Sequence, residues 1–344
     1  MPAYRALVLV CVCLTFIVVV VGAYVRLSDA GLGCPDWPGC YGKFTPANAE
    51  RDIRSAVDAQ GGTHGPVSMP KAWKEMGHRY LAGLLGLLIL AAAFFAWLWR
   101  SAPGQSPWLA TGIVLVVAVQ AALGKWTVTM LLKPAIVTAH LVGGMTTLAL
   151  LVWLALRQWP LGSGEDSSRI KRLHALAMVA LAVLCVQIVL GGWVSTNYAA
   201  LACPDLPLCR GATIPPMDFG NAFHVVRELG MTAEGNLLSG EALVAIHWTH
   251  RVFALLVAAT LGTLAFRLMK TFGARILGQL LLAALAAQFV LGLANVAFAL
   301  PLALAAAHNG GAALLLVLLV VINYVTFHGL ALRGGALSMS RPNA

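Results

Sequence analysis

The chain has 344 residues, of which 60% are hydrophobic and only 10% charged. A soluble domain carries about 25% charged residues, so a water-soluble globular protein is excluded and an all-α integral membrane protein is expected. The formal charge of +10 would suit a nucleic-acid binder, but its distribution along the chain excludes that role.

Eight stretches reach the roughly 20 apolar residues that a spanning helix needs. They cover 6–25, 77–99, 108–128, 136–157, 173–194, 244–266, 275–299 and 304–327. The first is too long for a signal-peptide core, and Val21-Gly22-Ala23-Tyr24 is a poor cleavage site, so it is read as a retained helix. With the N-terminus inside, the inner side holds Arg5, Arg100, Arg157, Arg169, Lys171, Arg172, Arg267, Lys270, Arg275, Arg333 and Arg341 against Glu165 and Asp166. Nearly all of the basic excess therefore lies on one side, which is the topology signal of a cell (inner) membrane protein with cytoplasmic termini. The long loops 26–74 and 195–243 then face outward. Four units follow: a four-helix half at 1–160, an inner linker at 161–172 rich in Ser and Gly, a second four-helix half at 173–330, and a loose tail at 331–344.

The two halves repeat. Gly22 and Cys34-Pro35-Asp36 match Gly191 and Cys203-Pro204-Asp205 at an offset of 169. His78-Arg79 matches His250-Arg251 at 172, while Gln120 and His140 match Gln288 and His308 at 168. Landmarks in order at nearly constant offset indicate duplication. Because each half has an even number of helices, the halves are expected as parallel, tandem four-helix bundles related by an axis along the membrane normal.

Four histidines at duplicated places near the outer ends of helices need a chemical reason, since ionisable groups at that depth are costly. His78 with His140, and His250 with His308, would supply one axial ligand to each face of a haem iron. The glycine pairs Gly143-Gly144 and Gly310-Gly311 would let a flat macrocycle approach the backbone. A hydrogen-bonded helix contact explains one such histidine but not four. Zinc is disfavoured because the four lack local acidic or cysteine ligands.

Glu75 lies three residues before His78, on the same helix face, and its counterpart is His247. The carboxylate could accept a proton or stabilise a developing cation; alternatively it is a favourable charge in a first helical turn. His247 competes with His250 as iron ligand, and the shared His-Arg element favours His250. Arg79 and Arg251 either pair with haem propionates or reach the outer interface. Gln120 and Gln288 read first as helix–helix polar contacts and second as porphyrin contacts. Cys34 with Cys40, and Cys203 with Cys209, are expected as loop disulfides on the oxidising side, each stiffening a lid. Cys11, Cys13 and Cys185 read as packing residues, His64 and His224 as loop residues, His174 and His328 as interfacial ones.

The eight-helix duplicated plan, Glu75-x-x-His78-Arg79, His140, His250-Arg251, His308, the paired loop cysteines and the stretch from Gly22 to Gly42 together resemble the haem A synthase family. The resemblance spans nearly the whole chain. It implies that haem O is the substrate and that a ring methyl is hydroxylated twice to an aldehyde hydrate, which loses water to give haem A for a terminal oxidase. It also implies that Glu75, His78 and His140 serve the substrate and that His250 and His308 hold a resident haem b. Haem O synthase, oxidase assembly factors, an electron donor or acceptor, membrane lipid and a second copy of the chain are the candidate partners. The competing readings are a bis-histidine dihaem cytochrome that only carries electrons, and a transporter.

Overall fold

The computed structural model describes residues 2–159 and 167–330, and every regular element among them is helical. Eight helices are long and apolar enough to cross a membrane. They are α1 (Pro2–Leu27), α2 (Met69–Leu98), α3 (Pro107–Thr129), α4 (Pro134–Leu156), α5 (His174–Thr196), α6 (Gly240–Met269), α7 (Arg275–Ala297) and α8 (Leu302–His328). The chain is a multi-pass membrane protein. The tail, the first half of the Ser- and Gly-rich linker, and the charged residues Glu165, Asp166, Arg333 and Arg341 lie outside the described residues. The described end of the linker is a short helix, Ser167–Lys171, with Ile170 buried, so that part is packed rather than flexible.

Two helices begin earlier than hydropathy suggested. Ser68 caps α2 by accepting from Lys71 N, with Pro70 in the first turn, and Ser239 caps α6 by accepting from Ala242 N. Lys71, Lys74 and Glu75 depress the hydropathy of the first turns of α2, yet the cap sets the helix start. Glu75 and His78 therefore do not open their helix; they sit well inside it. Counting from the observed starts, His78 and His250 lie roughly 14–15 Å along α2 and α6, and His140 and His308 roughly 9 Å along α4 and α8. All four are deeper than expected.

Helices consecutive in each half pack side by side, and α1, α4, α5 and α8 meet at a central seam. Val19, Met145, Leu148, Leu184, Ile188, Leu316 and Leu319 fill that seam. The outward faces keep Leu90, Phe94, Leu115 and Phe266 exposed, as lipid contact requires.

The duplication reaches the backbone. Among the described residues eight non-glycine positions have positive φ, and they form four matched pairs: Asp29 and Tyr198, Tyr41 and Arg210, Leu131 and Ala299, Leu132 and Leu300. The left-handed region costs an L-residue roughly 1–2 kcal/mol, so each site must be enforced by its surroundings. In the α3–α4 and α7–α8 turns the enforcement is alike, with Leu132 N donating to Thr127 O at 2.9 Å and Leu300 N to Asn295 O at 2.7 Å.

At the seam some residues meet their own counterparts. Arg26 Nη2 donates to Ser195 O at 2.8 Å, and Tyr198 Oη donates to Asp29 Oδ1 at 2.8 Å. Both pairs are separated by the 169 residues of the repeat, so they lie at its pseudo-twofold axis. The contact also brings the C-terminal ends of α1 and α5 together, which places both cysteine loops at one end of the molecule.

Candidate functional site

Each of the four histidines leans on a glycine of the preceding helix. A Cβ added at Gly22, Gly124, Gly191 or Gly292 would lie 2.9, 3.3, 3.1 and 3.1 Å from Cε1 of His78, His140, His250 and His308 respectively. The glycines make room for the rings, and the rings face a shared interior. All four line one cavity, so the structure brings the histidines expected from sequence to a common interior. Nδ1 of all four is buried without a hydrogen-bond partner.

Gln120 and Gln288 have a defined place. Gln288 Nε2 donates to His308 O at 3.0 Å and lies 3.4 Å from His308 Nε2. Gln120 and Gln288 occupy the space a Cβ would take at Gly143 and Gly311. Gly144 and Gly310 instead face Val19 and Val20 of α1, and Gly144 also lies on the wall of the cavity described below. Sequence reading missed Gln187, whose Nε2 donates to His250 O at 3.2 Å. The signal was present as Gln-x-x-x-Gly at 120/124, 187/191 and 288/292; the first helix has Val18 before Gly22.

The cysteine loops close over this interior. Both disulfides are formed. Asp36 accepts from the N–H groups of Tyr41 and Gly42 at 2.6 and 2.7 Å, and Asp205 from those of Arg210 and Gly211 at 2.6 and 2.8 Å. The bond from Gly211 leads in holding the Asp205 carboxyl below its ordinary range. The first loop carries a helix that hydropathy did not show, Glu50–Ala59, anchored by buried Ile53 against Cys34, Cys40, Ala72 and Met76.

Glu75 and His247 tie these lids down. Glu75 is buried, its Oε2 accepting from Cys34 N at 2.9 Å and its Oε1 paired with Arg79. His247 is also buried, with Nδ1 3.3 Å from Cys203 N and Nε2 3.2 Å from Arg251 Nε. A carboxylate can accept both such bonds. A neutral imidazole carries one N–H and can accept only one of them at a time. The first-turn explanation of Glu75 falls away, because the residue is the seventh of α2 and its charge is met by Arg79. With both its nitrogens against lid and arginine, His247 is less free to ligate than His250.

The two arginines are occupied as well. Arg79 Nη1 donates to Asp36 O at 2.8 Å and Gly39 O at 2.6 Å. Arg251 donates to Asp205 O at 2.9 Å, Leu208 O at 3.0 Å and Cys203 O at 2.6 Å. In this structure they bind lid carbonyls. Cys11 is buried, whereas Cys13 and Cys185 are exposed on the outer surface of the helices rather than packed within.

One continuous cavity of about 2,760 Å³ runs past all four histidines, Glu75 and His247. Ordinary small-molecule sites occupy about 300–1,000 Å³, so there is room for two large ligands. Its walls are mainly apolar, and paired imidazoles with unpartnered buried nitrogens fit an iron porphyrin in each half.

Comparison with known proteins agrees. The family model described as Cytochrome oxidase assembly protein (COX15-CtaA) matches residues 5–320. A haem A synthase of Shewanella oneidensis is 43% identical, covering 91% of this chain and 94% of its own. One of Novosphingobium aromaticivorans is 30% identical over 74% and 75%, and one of Halalkalibacterium halodurans 28% identical over 69% and 73%. A family model over residues 5–320 and a relative 43% identical over 91% of the chain place it in the haem A synthase family of cytochrome oxidase assembly proteins.

Proposed function

We propose that the chain oxidises a methyl group of haem O to a formyl group, giving haem A for a terminal oxidase. The observation that carries this is the inequality of two otherwise matched pockets: an ionisable carboxylate, Glu75, lines the first where His247 lines the second. A protein that only passed electrons between two haems would need no such acceptor in one of them. In this reading His78 and His140 hold the substrate, and His250 and His308 hold a resident haem b, which supplies one-electron chemistry when bound.

Glu75 is oriented by Arg79 and Cys34 N–H, a preorganised arrangement suited to taking up a proton or stabilising positive charge at the reacting methyl. The Cys34–Cys40 lid, held by Glu75 and Arg79, would exclude water from a loaded pocket. The apolar walls suit a prenylated porphyrin arriving from the bilayer. Both lids lie at the end opposite most of the basic residues, which supports an outer-side site and cytoplasmic termini. An electron donor or acceptor, haem O synthase, oxidase assembly factors and a second copy of the chain remain the candidate partners.

Pigment extraction after expression with a supply of haem O tests the reading. The parent should yield haem A, and Glu75→Gln should accumulate haem O with its spectrum otherwise intact. His250→Ala or His308→Ala should lose haem b. Two equivalents of haem b in the parent, with no conversion, would establish an electron carrier instead.

A further inference from the structure

We infer that Arg26 is the carboxylate-binding group for the porphyrin held between His78 and His140. This rests on the reading of that pocket as the substrate site. Among the described residues, the basic side chains on the cavity wall are Arg26, Lys43, Arg79 and Arg251. The amino groups of Arg79 and Arg251 are taken by lid carbonyls, Glu75 and His247, and Lys43 is exposed in its loop. Arg26 differs. Its side chain is only 12% exposed, yet its Nε is buried without a partner.

Position matters as much as pairing. Arg26 follows Gly22 by four residues, on the same face of α1 and one turn nearer the lids. Gly22 carries the ring of His78. A porphyrin held by that ring would turn its ionised carboxylate edge toward the polar lid end, because charge is costly at the bilayer centre. That edge then meets Arg26.

The guanidinium is already held in place. Nη2 is fixed by Ser195 O, Cζ lies 4.0 Å from the Tyr198 ring centroid, and Asp29 Oδ1 is 3.6 Å from Nη1. A rigid guanidinium with a free donor suits a second carboxylate. Its counterpart in the other half is the uncharged Ser195, so only the first half supplies a cation at this position.

The test uses the full-length protein carrying His250→Ala, so that the first pair reports binding. It is titrated with iron protoporphyrin IX and with its dimethyl ester, following the Soret band. Arg26→Gln should weaken binding of the free acid about tenfold or more, as loss of a charge-assisted hydrogen bond does, and leave the ester unchanged. Arg26→Lys should recover part of the loss. Tyr198→Phe, which cuts the Asp29 bond at the same seam, should leave both affinities near the parent's. Equal weakening of acid and ester by Arg26→Gln would mean that Arg26 only holds the seam, and no weakening of either would equally overturn the proposal. If the parent background binds neither porphyrin, the reading of the first pocket fails, and the assignment of Arg26 with it. Should His250→Ala not accumulate, the same comparison is made on the second equivalent bound by the protein with haem already in its second pocket.

Discussion

At the residue scale, Glu75 does two things with one carboxylate. It anchors the lid through Cys34 N–H and presents charge to the cavity, and His247 repeats the first task less completely. Glu75→Gln keeps the shape but loses the proton acceptor and its charge on Arg79, so conversion should fall by at least the roughly 10²–10⁴ typical of a lost general acid or base, read as haem A formed per protein. The glycines beside the histidines make a separate prediction. Gly191→Ala or Gly292→Ala puts a methyl about 3.1 Å from a histidine carbon. Overpacking of this kind costs about 1–3 kcal/mol, and the resident haem Soret band should weaken or shift in the purified variant. The four histidines were legible in the sequence because duplication set them apart from chance. Gln187 carried a signal only through the repeated Gln-x-x-x-Gly pattern, and Arg26, at the end of its helix, carried no sign of what it would face. Arg79 and Arg251 were legible as a pair, but their carbonyl partners lie about 40 or more positions away.

Helix starts and turns show what hydropathy can and cannot locate. The capping hydroxyls of Ser68 and Ser239, not the first apolar residues, begin α2 and α6. Ser68→Ala and Ser239→Ala should each cost about 1 kcal/mol, measurable as a lower midpoint in thermal unfolding in detergent. The left-handed turn formed by Leu131-Leu132 in one half and by Ala299-Leu300 in the other is a second local constraint. There, Leu300→Val should destabilise by about 1–2 kcal/mol because a β-branched side chain tolerates positive φ poorly. Leu300→Gly should be neutral or stabilising in the same assay. Nothing in an apolar Leu-Leu or Ala-Leu pair announces such a turn, which the backbone bonds of Leu132 N to Thr127 O and Leu300 N to Asn295 O close at the helix end. Eight spanning helices were legible from composition alone, while the short helix Glu50–Ala59 was hidden in polar sequence with a single buried anchor, Ile53.

For the molecule as a whole, the cavity is shared although the chemistry assigned to its ends is not. His247→Glu tests whether a carboxylate suffices to make a pocket reactive. It should satisfy both lid donors and hold or raise the unfolding midpoint, yet leave haem A yield per protein unchanged, because the second pocket would still hold its resident haem. A rise in yield toward twofold would show that residue 75 alone defines the reacting end. The fold class followed from composition and the parallel repeat from an even helix count, but the fusion of the two pockets into one cavity emerges only when α1, α4, α5 and α8 pack. That seam also bears on ancestry. In a symmetric pair of identical four-helix chains, a residue at the axis meets its own copy, so arginine would face arginine and aspartate would face aspartate. Here Arg26 faces Ser195 and Asp29 faces Tyr198. Complementary partners at an axis can be encoded only when the two halves differ in sequence, so the divergence of the halves is what allows an arginine and an aspartate to sit at this seam.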